Sequence, residues 1–138
     1  MRLWHKDMIE VLPRKQLLGQ YRECCLIAKE ISENGKINHI LVNYVNNFRK
    51  YDLIAYTLLV AEEMKRRGYK CNLEKFTKYF NEYALEFIPK REEIFRDKHN
   101  YRYLKQCYYN LQEKFDCGGI PCDEWENIVC EFGPIVEQ

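Results

Sequence analysis

The chain is 138 residues long, 46% apolar and 31% charged, with a net charge of +1 at pH 7. That length supports one hydrophobic core, hence one domain over 1–138, and that composition excludes a disordered chain. No stretch approaches the roughly 18 apolar residues needed to cross a bilayer, and the MRLWHKD start lacks a secretory apolar segment, so a cytoplasmic protein with no membrane partner is expected.

The small net charge hides an asymmetry. Residues 111–138 carry −6, which leaves +7 on residues 1–110. A basic body with an acidic C-terminal portion suits an anionic partner such as nucleic acid. The seven cysteines are odd in number and no export signal precedes them, so reduced thiols are expected. Cys117, Cys122 and Cys130 read either as buried packing thiols or as part of a zinc set. Three cysteines with no histidine following make an incomplete set, and no metal is expected.

In chain order, the first predicted helix runs from about Pro13 to Ser32. Leu17, Tyr21, Cys24, Ala28 and Ile31 recur at spacings of four and three, and Asn34-Gly35 stops the helix. Gln16, Gln20 and Glu23 fall on one flank of this seam, where a pocket wall would be. Residues 37–45 (INHILVNYV) read as a short strand or as a helix start, with His39 among apolar neighbours as a structural or a functional side chain.

A second helix is predicted over Tyr51–Arg67, broadly buried and stopped by Gly68. Lys65, Arg66 and Arg67 in its last turn suit the helix dipole, and the KRRGYK cluster they begin, ending at Lys70, reads either as helix-terminal charge or as a phosphate contact. Asn72 caps a predicted third helix that places Leu73, Phe76, Phe80, Tyr83 and Phe87 inward and closes at Pro89. A fourth spans about His99 to Phe115, with Tyr101, Leu104, Tyr108, Leu111 and Phe115 inward. Its other side mixes Arg102, Tyr103, Lys105 and Tyr109, either packing surface or a platform for unpaired bases. Residues 122–132 (CDEWENIVCEF) suggest a final short helix. The sum is a mostly α fold of four to five helices in one compact domain.

The MRLW start, QLLGQYRE ending at Glu23, the ENGK that follows and the later KRRGY resemble the pyrimidine-dimer DNA glycosylase family, whose type member is a small phage endonuclease acting on ultraviolet photoproducts. These landmarks cover about residues 1–70. The resemblance implies a DNA repair glycosylase with abasic-site lyase activity on double-stranded DNA containing dimers or abasic sites, with no cofactor. It also implies that the nucleophile is the N-terminal α-amine, here that of Met1, and that Glu23 is the catalytic glutamate. Arg2 matches the arginine after the nucleophile, Arg22 the arginine beside the glutamate, and His39 a histidine near the catalytic centre. Gln16, Arg66 and Arg67 join them as candidate DNA contacts.

The chemistry agrees with that choice of groups. An α-amine ordinarily titrates near 7.7–8.0, against about 10.4 for lysine, so it is an available nucleophile near neutral pH. A neighbouring carboxylate moves protons and stabilises positive charge on the sugar. Arginines hold the flanking phosphates. Three departures stand out, the low net charge of +1 among them. Residue 2 is Arg rather than a small residue, so Met1 is expected to stay and to present its own amine. Leu26 replaces a second substrate-binding arginine. The alternatives are a non-catalytic nucleic-acid-binding protein of the same fold and a helical protein-interaction module. The first leaves Glu23 unexplained, and the second leaves the MR start unexplained.

Overall fold

The apolar seam of the first predicted helix is the spine of the molecule. In the computed structural model, which describes residues 1–137, α1 runs Arg14–Asn34 and buries Leu17, Tyr21, Cys24, Ile27, Ala28 and Ile31. Gln138, the last residue of the expected domain, lies outside the described residues. Each buried leucine or isoleucine of the seam contributes about 1.5–3 kcal/mol. Gly35 ends the helix at φ +80°, its N–H bonding Ile31 O at 2.8 Å, a conformation that a side chain would strain. At the other end Pro13 stands just outside the helix and its carbonyl accepts the Leu17 N–H. The Arg14 N–H donates to Glu124 Oε2 at 3.1 Å, so the acidic C-terminal portion supplies a carboxylate at the positive end of α1.

Helix α2 (Lys50–Arg66) packs along α1 and is buried on several sides, as its two apolar lines predict. Gly68 stops it at φ +81°, with Tyr69 N–H reaching back to Met64 O.

The predicted third helix largely fails to form. Only α3 (Glu74–Thr77) is α-helical; residues 85–87 make a 3-10 turn. Phe76 and Phe80 are buried as expected, but Leu73 and Phe87 are exposed. Asn72 still bonds the Glu74 N–H through Oδ1. So short a helix has little stability of its own. Tertiary contact decides instead: Tyr83 and Phe87 turn edge-on to Tyr51, at 5.0 and 6.0 Å between ring centroids, which bends the chain around α2. The ambiguous 37–45 segment is a turn followed by a 3-10 helix over Asn43–Asn47, and no strand forms among the described residues.

Helix α4 (Tyr101–Asp116) starts at Asn100, whose Oδ1 accepts the Tyr103 N–H at 2.9 Å. Its inward face is rotated from the predicted one. Tyr103, Leu104, Cys107, Tyr108 and Leu111 are buried, while Tyr101 is exposed with Lys105 over its ring. The last helix, α5 (Cys122–Val136), is longer than the short one expected and packs on α4. Cys117, Cys122 and Cys130 are exposed rather than buried; the buried thiols are Cys24 and Cys107. No helix is long and apolar enough to cross a membrane.

Between these helices runs the start of the chain. Leu3, Trp4, His5 and Lys6 are buried, and a 3-10 turn over Lys6–Val11 packs on both α2 and α5. An N-terminus is ordinarily loose unless tied down. Here one hydrophobic cluster includes residues from Leu3 to Val136 and fixes it.

Candidate active site

The site is built around Gln20. Its side-chain oxygen accepts the Trp4 N–H at 2.6 Å and lies 2.7 Å from the Tyr56 hydroxyl. Its amide nitrogen donates to Arg2 O at 2.9 Å and to Glu23 Oε2 at 3.1 Å. All four hydrogen-bonding positions of the amide are used, which fixes its orientation. The Tyr56 hydroxyl also lies 2.6 Å from Trp4 O, sharing its proton between the two oxygens, and the Tyr103 hydroxyl donates to Leu3 O. Three side chains from α1, α2 and α4 therefore hold the backbone of residues 2–4.

This clamp brings the chain's start onto Glu23. The Arg2 N–H donates to Glu23 Oε2 at 3.3 Å. The Met1 α-nitrogen is three bonds from that amide nitrogen, hence within about 4 Å of it. Met1 is exposed and Glu23 half-buried, so both reach solvent while Leu3 and Trp4 beneath them are packed. Arg2 folds over the faces of Trp4 and Tyr103, its guanidinium carbon 5.7 and 5.9 Å from their ring centroids.

A second layer of buried polar groups sets the depth of the segment. The Lys6 N–H donates to His99 Nδ1 at 3.0 Å, so Nδ1 is unprotonated and the proton sits on Nε2, 2.8 Å from the Tyr44 hydroxyl. Lys6 Nζ donates to Glu92 O at 3.0 Å and Ile94 O at 2.6 Å, and burial pushes its pKa down. His5 caps the 3-10 turn by accepting the Asp7 N–H. Burial, aided by repulsion from a protonated His5 and by the nearby charges of Lys6 and Lys98, pushes the His99 pKa down to about 2; burial also lowers that of His5. A histidine in an unfolded chain titrates near 6.5, so below that pH the unfolded state takes up protons that folded His99 excludes. Stability present above about pH 6.5 is therefore lost as pH falls, and denaturant melts at about pH 7.5 and 5 are expected to differ by roughly 2 kcal/mol from His99 alone. His99→Gln, which keeps an acceptor for Lys6, is expected to flatten that dependence.

The other predicted residues lie elsewhere on or around α1. Arg22 points to the adjacent face and lines a groove of about 620 Å³ between α1 and residues 70–79. Lys29, Lys70, Lys75 and Lys78 also line it, no acid does, and Leu26 sits among these cations. Lys75 and Lys78 went unnoticed as site residues in the sequence, because α1 and the segment after α2 meet only in the fold. Gln16, two turns before Glu23, borders a separate cavity at the α4–α5 loop, its Oε1 buried without a hydrogen-bond partner among the described residues. His39 lies 3.7 Å from Glu30, two turns beyond Glu23. Arg66 and Arg67 both turn to buried Glu63, and Arg67 also donates to Leu12 O and Glu10 O. These bonds tie the end of α2 to the Lys6–Val11 turn and leave the Arg66 side chain largely exposed.

A helical scaffold that buries its own N-terminal segment to hold the first residue beside a carboxylate, next to a groove lined by cations, is suited to work on an anionic polymer. A family model of pyrimidine dimer DNA glycosylases matches residues 1–77, more than half of the chain and a span that includes every site residue named from the sequence, and the chain belongs to that family. The family makes it a DNA repair glycosylase, with DNA carrying pyrimidine dimers as the substrate. No curated protein and no solved structure matches the chain.

Proposed function

We propose that the chain is a bifunctional glycosylase and abasic-site lyase, acting as one domain on dimers or related lesions in duplex DNA. The observation that carries this reading is the Arg2 N–H on Glu23 Oε2, which sets the first residue of the chain beside a carboxylate. The Met1 α-amine attacks C1′ of the damaged nucleotide, and the glycosidic bond breaks with its electrons leaving on the base. Glu23 stabilises the positive sugar and shuttles protons as the ring opens to a protonated imine. Removal of a C2′ proton by Glu23 then expels the 3′ phosphate, and water hydrolyses the imine to regenerate the amine. Each step is carried by the amine, the carboxylate and water, with neither metal nor cofactor. Arg2 and Arg22 flank the pair and engage phosphates. Gln16 and His39 lie on the Glu23 face of α1, two turns to either side, and extend the DNA contact along it. The exposed guanidinium of Arg66 is the outermost of the proposed contacts.

The basic groove is the proposed phosphate track. Lys75→Gln with Lys78→Gln is expected to weaken binding at low salt and to reduce the slope of log K against log salt by about 2, roughly 0.9 for each phosphate that the protein no longer neutralises. Titrations at several salt concentrations check this, and an unchanged slope would remove the two lysines from the interface.

The reading as a whole is tested by incision. A dimer-containing duplex given to the untagged protein should yield strand breaks that leave an unsaturated aldehyde, the β-elimination product, on the 3′ end of the upstream fragment and a 5′ phosphate on the downstream one. A protein that binds such a duplex but releases no base and cuts no strand would instead be the binding-only alternative.

A further inference from the structure

Two large apolar side chains stand out of the surface at the turn after α1: Ile40 is 91% exposed and Leu41 48%. The turn that carries them is firmly built. Ile37 and Val42 are buried on either side, Asn46 bonds both the N–H and the carbonyl of Ile37, and Asn43 Oδ1 accepts the His39 N–H at 2.7 Å. Val42 N–H closes the turn onto His39 O at 2.9 Å. A stiff turn that spends its polar groups on itself and points its two aliphatic residues at water is shaped for contact.

Its position says with what. The His39 ring lies against Glu30, seven residues after Glu23, so the tip stands on the same side of α1 as Glu23. Seven residues advance about 10 Å along the helix, close to three base-pair steps of duplex DNA. Lys36 is exposed at the base of the tip, and Lys29 lies on the adjoining cationic face of α1.

We propose that Ile40 and Leu41 form an apolar wedge that enters the base stack of the substrate duplex beside the lesion, unstacks one step and bends the helix onto the Met1–Glu23 site. The inference rests on the glycosylase reading. Chemistry at C1′ needs a nucleotide displaced from the stack, and aliphatic side chains inserted between base pairs supply such a displacement while leaving water themselves.

The test uses duplexes with a stable abasic analogue and 2-aminopurine placed one to four steps from it. The Glu23→Gln protein, which binds without cutting, should raise the fluorescence several-fold at one step. Adding Ile40→Ser and Leu41→Ser should remove that rise. In the otherwise native protein the two serines should slow incision of a fully paired duplex by about tenfold or more, while a substrate already mismatched at that step is cut at the original rate. A rise that survives both substitutions, or equal losses on paired and mismatched substrates, overturns the wedge. So does loss of self-association of the free protein as their only effect, which would make the tip a contact between copies. Absence of a borohydride adduct on abasic duplex would sink the lyase reading instead, and the fluorescence rise would still report the wedge.

Discussion

Acetylation of the Met1 α-amine, or one extra residue placed ahead of it, is expected to abolish strand incision, by a factor of about 10³ or more. The size follows from the way the segment is held. Leu3 and Trp4 are buried, and residues 2–4 are gripped at the Arg2, Leu3 and Trp4 carbonyls and at the Arg2 and Trp4 amides. The chain cannot slide back to bring a new terminal nitrogen to the old position without breaking several buried hydrogen bonds. Acetylation leaves the position intact but removes the nucleophilic lone pair. Neither change touches the groove lined by Arg22, Lys29, Lys70, Lys75 and Lys78, so DNA affinity should persist while turnover disappears. Binding and single-turnover incision measured on the same preparations separate the two. A blocked protein that cuts as fast as the free one would rule out Met1.

Glu23→Gln is expected to lower the lyase rate on preformed abasic duplex by about 10²–10⁴. Both the Arg2 N–H and the Gln20 amide donate to one oxygen, Oε2, so a glutamine at 23 keeps an acceptor of the same shape for both. What it loses is the negative charge and the ability to take a proton. Stability should therefore change by about 1 kcal/mol or less, in contrast to the loss in rate. A rate within about threefold of the native one would mean that Glu23 only positions the chain and that another group moves the proton.

Much of this was legible in the sequence because it is local. The spacing from Leu17 to Ile31, the stop at Gly35 and the stop at Gly68 follow from periodicity and backbone freedom within one helix. Glu23 and Gln20 announced themselves as polar residues on the flank of a buried seam. The parts that were missed are long-range. Tyr56 reaches Trp4 across 52 residues, His99 reaches Lys6 across 93 and Tyr103 reaches Leu3 across 100. Nothing in the neighbourhood of a tyrosine says which distant carbonyl it will meet. Tyr103 was read with the polar side of its helix, yet the buried N-terminal segment supplied the partner that drew it inward. The failed helix over residues 72–88 has the same origin: its apolar spacing was right for a helix, but aromatic contacts with Tyr51 outweighed it. The contacts of Arg67 with the carbonyls of Glu10 and Leu12 are long-range in the same way.

One measurement bears on the central claim directly. Borohydride reduction during reaction with abasic duplex should trap a covalent adduct, and proteolysis with mass mapping should find it on the α-nitrogen of Met1. The discriminating competitor is close by. Lys6 carries a buried amine with a depressed pKa five residues along, tied to the Glu92 and Ile94 carbonyls. An adduct on the Met1 peptide, lost on N-terminal acetylation and retained in Lys6→Met, is the predicted result. An adduct on Lys6 or any other lysine, with Met1 unmodified, would contradict it.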